Sequence, residues 1–269
     1  MQDLEWIDTH CHLEYEGSVK PAEQLVQEAA AAGVKTLINI GTDLPTLEKV
    51  QAVSDRHPNV YHTVGIHPHE AATIQRGDLE KIRVAAGHPK CRAIGEIGLD
   101  YYYNHSPHEV QIDIMNQQLD LALALELPVV IHTRDAEKDQ LVALQAYVAR
   151  IPKDALGKPA RIPGIIHCFT SSQAFGLACI DLGFYISFSG ILTFKAAEDL
   201  RTAARAFPVE RLLVETDSPF LAPTPHRGKK CEPAMVIHTA EKLAELKNVS
   251  LEELARITTA NAKRVFQLS

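Results

Sequence analysis

The fold this sequence predicts is a (β/α)8 TIM barrel, and three observations point to it. Eight short runs rich in apolar and β-branched residues alternate with longer segments of helical periodicity. The length, 269 residues, lies near the roughly 250 typical of such barrels. Polar residues of catalytic type recur just after the runs, at the strand ends where a barrel builds its active site.

The first run, Leu4 to Asp8, leads through His10-Cys11-His12 to a helical segment over Pro21 to Ala32. Val34 to Ile40 is followed by Leu44 to Arg56, and Val60 to Gly65 enters Ile66-His67-Pro68-His69 before Leu79 to Ala86. Arg92 to Gly95 enters Glu96-Ile97-Gly98 and precedes Pro107 to Glu126. Pro128 to Ile131 enters His132-Thr133-Arg134-Asp135 and precedes Ala136 to Arg150. Gly164 to Ile166 delivers His167-Cys168 ahead of Ser172 to Leu182, and Phe184 to Phe188 leads to Ala196 to Phe207. The eighth run, Leu212 to Glu215, enters Thr216-Asp217-Ser218-Pro219, with helical segments over Ala234 to Leu246 and Leu251 to Phe266 beyond it.

Near-continuous apolar strands belong to parallel sheets covered on both faces, and eight units are the number that closes a barrel. An open doubly wound sheet shares the alternation, but no G-x-G-x-x-G fingerprint follows a strand. No repeat, low-complexity stretch or polar linker divides the chain, so one domain over residues 1–269 is expected. The segment 151–163, IPKDALGKPARIP, is rich in Pro, Gly and Lys and reads as a surface loop.

Composition sets further bounds. The chain is 46% hydrophobic and 23% charged, an ordinary globular balance. A net charge of −7 argues against a protein that coats nucleic acid through a broad basic face, though a nuclease gripping a few nucleotides remains compatible with it. Acids stand near the start where a secretory signal carries positive charge, and no apolar run is long enough for a bilayer, so a soluble protein without membrane contact is expected. Five scattered cysteines, with no C-x-x-C pair, fit neither a disulfide framework nor a thiolate zinc site. They read as reduced thiols in the cytoplasm.

Side chains alternate along a strand, so His10 and His12 project the same way and can share one ion while Cys11 points elsewhere. Imidazole with carboxylate favours zinc, manganese or similar cations over calcium. Four imidazoles (His10, His12, His132, His167) and two carboxylates (Glu96, Asp217) exceed what one ion takes. Two divalent cations sharing Glu96 are the economical arrangement. Each residue alone has a plainer reading: Asp217 and Asp135 as helix caps, His167 as a core imidazole. Their accumulation at equivalent strand ends favours the metal, because burying unpaired acids there is costly.

These segments together resemble the TatD-type metal-dependent hydrolases, usually described as deoxyribonucleases, within the amidohydrolase-like barrels. The resemblance runs almost end to end. It is carried by IDTHCHLE at 7–14, GIHPHEA at 65–71, AIGEIGLDYY at 93–102, LPVVIHTRDA at 127–136, IIHCFTSS at 165–172, GFYISFSGILTFK at 183–195, LLVETDSPFLAP at 212–223, PHRGKKCEPA at 225–234 and NAKRVF at 261–266. The resemblance implies that His10 and His12 bind a first metal, His132 and His167 a second, that Glu96 bridges both, and that Asp217 binds the first while facing the attacking water. Related barrels bridge their metals with a carboxylated lysine, but Arg92 to Gly98 offers Glu96 and no lysine.

The expected function is that of a 3′ to 5′ exonuclease on single-stranded DNA or frayed ends, the polarity being implied by the resemblance alone. A metal-bridging hydroxide cleaves the phosphodiester and Asp217 serves as its base. The cations are expected to be zinc, manganese or magnesium. An amide or ester hydrolase, such as a D-aminoacyl-tRNA deacylase, is the alternative on the same two-metal site. Phosphate contacts are expected from Arg134, His226 and Arg227, with Lys229 and Lys230 nearby, and a phosphate or leaving-group contact from His67. Glu215, one alternation before Asp217, is expected to orient a ligand. Tyr101, Tyr102 and Tyr103 read first as residues packing a helix on the rim and second as a surface for unpaired bases. No protein partner is predicted.

Overall fold

The computed structural model describes residues 4–18 and 20–268. Eight parallel strands run in chain order: β1 (Trp6–Cys11), β2 (Val34–Ile40), β3 (Val60–Val64), β4 (Cys91–Asp100), β5 (Val129–Arg134), β6 (Gly164–Ile166), β7 (Tyr185–Phe188) and β8 (Leu212–Val214). Neighbours in sequence are neighbours in the sheet throughout. The ring is brought nearly to closure at the β1/β8 seam, where Asp217 N donates to His10 O and His12 N donates to Ser218 O, each at 2.9 Å.

Nine α-helices among the described residues cover the strands: α1 (Ala22–Ala31), α2 (Leu44–Arg56), α3 (Asp78–Ala86), α4 (His108–Leu125), α5 (Glu137–Ala149), α6 (Gln173–Asp181), α7 (Glu198–Ala206), α8 (Val236–Lys247) and α9 (Leu251–Phe266). Side chains cap three of their starts, Ser172 doing so at α6. Asp43 and Thr46 form a reciprocal capping box at α2, and the Ser250 hydroxyl accepts from Glu253 N at α9.

The eight predicted strands and the helical segments between them all form. β4 is the main difference, running ten residues to Asp100 where the sequence suggested an end at Gly95. Polar residues need not stop a strand whose end is buried, and Glu96 and Asp100 both find partners inside. Glycine makes the extension possible. At Gly98, with φ +145°, a Cβ would sit 1.9 Å from His132 O, so only glycine lets β4 lie this close to β5.

The barrel interior is filled by Ile7, Ile38, Ile40, Ala93, Val130, Ile165, Tyr185 and Leu213, with Tyr61 packed alongside. Every strand contributes. Ala262, Val265 and Phe266 from the end of α9 belong to the same cluster and close the amino end. A second, larger cluster lies between strands and helices. Segment 151–163, joining α5 to β6, falls at the amino end, away from the strand ends that carry the polar residues. There Asp154 Oδ1 accepts from Leu156 N and Lys158 N in an exposed turn. All five cysteines are free thiols, four of them buried. No helix among the described residues is long and apolar enough to cross a membrane.

Candidate metal centre

Alternation along six of the strands carries the interior from apolar to polar, while on β4 a register shift between Ile94 and Ile97 brings Glu96 inward beyond Ala93. Two residues beyond Ile7, Tyr61, Val130, Ile165, Tyr185 and Leu213 stand Thr9, Thr63, His132, His167, Ser187 and Glu215, all on the inward face. The carboxyl mouth of the barrel is thus a shell of hydroxyls, imidazoles and carboxylates.

Glu96 stands at its centre, 3% exposed. Its Oε2 lies 3.3 Å from His10 Nε2, while its Oε1 lies 2.7 Å from His167 Nε2, 3.1 Å from His132 Nδ1 and 3.4 Å from His67 Nε2. The two oxygens therefore face different groups of imidazoles. On the seam side, His10 Nε2 and His12 Nε2 are 3.2 Å apart and lie 3.6 and 3.4 Å from Asp217 Oδ1. Cys11 turns outward, its thiol on Ile38 O and opposite to His10 and His12 as expected, and the register shift between Asp8 and Cys11 is what lets these two histidines join Thr9 on the inward face.

Three overlapping sets of possible metal-binding atoms result: His10, His12 and Glu96; His10, His167 and Asp217; and His67, Glu96 and His132. All six sequence-predicted ligands meet at one rim. His67, expected to contact a phosphate or the leaving group, stands beside Glu96 and His132, where it is also a potential ligand. The donor set also fits cations by a second criterion. His10 Nδ1, His167 Nε2 and Glu215 Oε2 are buried without a hydrogen-bond partner, and His167 Nε2 faces Glu96 off the axis of such a bond. The His10 and His167 rings are stacked at 3.8 Å.

The electrostatics follow from burial and proximity. Burial by itself would raise Glu96, but the His167, His67 and His10 imidazoles outweigh it and hold the carboxyl well below its usual range. Burial is likewise outweighed at Asp217, which the His12 hydrogen bond and the charge of His10 hold low. His10 is lowered by burial and then by His167. At His167 burial is overcome by Glu96 and Glu215, which raise it. Both carboxylates are thus anions, the form in which they can ligate a cation.

Supports behind these groups are equally specific. His167 Nδ1 lies 3.3 Å from Glu215 Oε1, which also accepts from Cys168 N at 2.7 Å, so Glu215 orients His167 as expected. Asp100, which the sequence reading left without a role, is fully buried. Its Oδ2 accepts from His132 Nε2 and His69 Nε2, each at 3.0 Å, turning His132 Nδ1 toward Glu96. The signal was available: Glu96, Gly98 and Asp100 share one face once β4 is taken to its full length. Asp8 likewise carries no mark of its role along the chain. Burial pushes it up to about 8, against hydrogen bonds from Thr216 that tie β1 to β8. From α4, the Gln111 amide grips both backbone groups of Asp100, and Gln118 does the same at Ile66, just before His67.

Asp217 caps no helix, since α8 begins only at Val236. It holds φ 55°, as Asp135 and Cys168 hold φ 53° and 41°, so three strand ends of this rim leave in the sparsely populated left-handed region. Arg134 is exposed at the end of β5. Arg227 lies over the Phe194 ring at 3.6 Å and donates to Ala222 O, while His226 Nε2 meets His238 Nε2 at 3.1 Å. These contacts hold both side chains against the loop after β8, with Arg227 still exposed and His226 half-buried. Tyr101 packs on the rim as expected, stacked on His108 and bonded to Asp139, whereas Tyr102 and Tyr103 are exposed.

A family model described as TatD related DNase matches residues 7–267. A protein of Escherichia coli K12, named an uncharacterized metal-dependent hydrolase, is 41% identical over 97% of this chain and 96% of its own. A Salmonella typhimurium protein named 3′-5′ ssDNA/RNA exonuclease TatD is 33% identical over 93% of this chain and 94% of its own. The crystal structure of a TatD homologue from Escherichia coli K12 superposes with a TM-score of 0.90 at 27% identity, covering 99% of this chain and all of that one.

Proposed function

The chain belongs to the TatD family of metal-dependent hydrolases, and from that premise we propose that it is a two-metal phosphodiesterase that removes nucleotides from the 3′ ends of single-stranded DNA in the cytosol. The observation that carries this reading is the division of Glu96 between two groups of ligands, one oxygen facing His10 and the other facing His132 and His167. A shared carboxylate of this kind suits a pair of cations, and a pair of cations suits the in-line displacement of a phosphodiester. The exonuclease name of the Salmonella relative supports the substrate, and the scattered free thiols support the compartment.

His10, His12 and Asp217 would hold one cation, His132 and His167 the other, with Glu96 shared and His67 in reserve beside it. Bound there, zinc, manganese or magnesium would supply an acidified water and positive charge for the phosphoryl oxygens. Asp217, kept ionised by its histidine neighbours, orients the attacking water and takes its proton on a carboxylate oxygen. Glu215 and Asp100 hold His167 and His132 in their rotamers, so the ligand cage is set before substrate arrives. Arg134 binds a backbone phosphate from the opposite side of the mouth.

The test gives manganese-loaded protein end-labelled single-stranded DNA and, separately, a D-aminoacyl-tRNA. Stepwise loss of 3′ nucleotides is expected. Cleavage of the aminoacyl ester with the DNA left intact would replace the nuclease by an ester hydrolase on the same centre.

A further inference from the structure

The exposed large aromatics among the described residues are Tyr15, Tyr102, Tyr103 and Phe220, each between 41% and 57% exposed. All four stand on loops leaving the carboxyl ends of strands: Tyr15 after β1, Phe220 after β8, Tyr102 and Tyr103 after β4. A ring left in water forgoes burial that stabilises most aromatic side chains, and confinement of all such rings to one rim calls for a ligand.

They form two pairs on opposite sides of the mouth. At the seam, Tyr15 and Phe220 meet edge to face at 5.0 Å, and Phe220 lies 6.2 Å from His12. In a ring of eight strands in chain order, β4 and β5 lie across from this seam. There Tyr102 and Tyr103 meet at 4.9 Å, with the Arg134 guanidinium 4.5 and 4.8 Å from their ring centres. Tyr103 lies 5.4 Å from His69, whose partner Asp100 holds His132, and is parallel to His105 at 5.8 Å. Each pair thus adjoins a different flank of the candidate metal centre.

A ligand that meets both pairs must present flat apolar faces on either side of an anionic linkage, which describes two unpaired nucleotides and the phosphodiester between them. We propose that Tyr15 with Phe220, and Tyr102 with Tyr103, are two base-stacking platforms that seat one nucleotide on each side of the scissile phosphate, with Arg134 on a neighbouring phosphate. The proposal rests on the phosphodiesterase reading above and adds the residues that make it prefer unpaired strands. Every base has a π face, so the platforms tolerate any sequence. Paired bases already stack on their neighbours and must be freed before either platform can hold them, so the arrangement selects single strands and frayed ends. Arg134 is held over two rings, so little of its freedom is left to lose when it meets a phosphate.

The experiment measures anisotropy of an end-labelled oligothymidylate of about 12 nucleotides against full-length protein in chelator, where no strand is cut. Replacing Tyr102 and Tyr103 by Ala, or Tyr15 and Phe220 by Ala, is expected to weaken binding about tenfold each, the scale of one lost base stack. All four together should cost about a hundredfold, because separated sites combine additively in free energy. Tyr102→Phe with Tyr103→Phe keeps the rings and should bind as the unsubstituted protein does. An abasic strand of the same length should bind only as tightly as thymidylate binds the fourfold Ala variant. Equal affinity for abasic and thymidylate strands, a fourfold variant within twofold of the parent, or equal affinity for blunt duplex would each overturn the platforms. Self-association lost in the Ala variants, with strand affinity unchanged, would assign the rings to a second copy and overturn them too. With manganese added, a strand that is bound through the rings yet left intact would remove the nuclease reading and uphold the platforms.

Discussion

At its amino end the barrel interior holds Ile7, Val130, Ile165 and Leu213, sealed by Phe266. Two residues further along the same strands, the carboxyl end holds Thr9, His132, His167 and Glu215 around Glu96. One end is apolar and satisfied by contact, the other polar and, at His10 Nδ1, His167 Nε2 and Glu215 Oε2, still without partners. The amino end stabilises the protein and the carboxyl end is kept for a ligand, because unpaired buried polar atoms cost stability unless something else satisfies them.

The sharpest way to break this division is to alter one end and read the other. Asp217→Asn should lower hydrolysis of labelled DNA on the order of a thousandfold, within the usual range for a lost general base, while element analysis still finds bound metal. An active variant would remove Asp217 from the chemistry. Phe266→Ala should cost about 3–5 kcal/mol by urea unfolding and leave the turnover of the folded fraction unchanged. A fall in turnover beyond the unfolded fraction would show that the two ends are coupled.

The layer outside the barrel supplies a control at neither end. His62 on β3 is buried against Ser54, and burial followed by the charge of His88 lowers it to about 4. Its folded pKa lies below its unfolded value near 6.5, so the unfolded chain takes the proton first. The contribution is complete above about pH 6.5 and is lost as pH falls toward 4, about 3 kcal/mol across that window. His62→Gln should flatten the acid limb of a urea-midpoint titration of metal-loaded protein. An unchanged limb would place the acid sensitivity elsewhere.

Two smaller effects concern the carboxyl end again. Chelation should lower stability by about 2.7 kcal/mol relative to protein held at a hundredfold excess of metal over its dissociation constant, and Glu96→Gln should shrink that difference. A midpoint indifferent to metal in the parent protein would leave the orphaned donors unexplained. Arg227→Ala should raise KM only a few-fold, because its guanidinium already spends contacts on Phe194 and Ala222 O. A large fall in kcat instead would place Arg227 at the reacting phosphate.

Much of the arrangement is legible along the chain. The eight apolar runs mark the strands, and His10, His12, Glu96, His132, His167 and Asp217 stand out because each follows such a run. Asp100 and His69 do not stand out, since a polar residue beyond Glu96 reads as the end of a strand rather than its continuation. Gln111 and Gln118 look like ordinary polar positions of a helix until α4 is laid against the loops they grip. Tyr101, Tyr102 and Tyr103 are consecutive and chemically identical, yet the first stacks on His108 of α4 and donates to Asp139 of α5 while the other two face solvent over Arg134.

Sequence alone determined the order and kind of the elements and the residues placed at their ends, because periodicity and alternation are properties of neighbours along the chain. Tertiary structure alone decided which of those ends face one another: that Asp8 bonds Thr216 across 208 positions, that Glu96 divides its oxygens between two groups of imidazoles, and that four aromatic rings flank them. Such pairings depend on ring closure and on the tilt and register of distant strands, which no local pattern encodes.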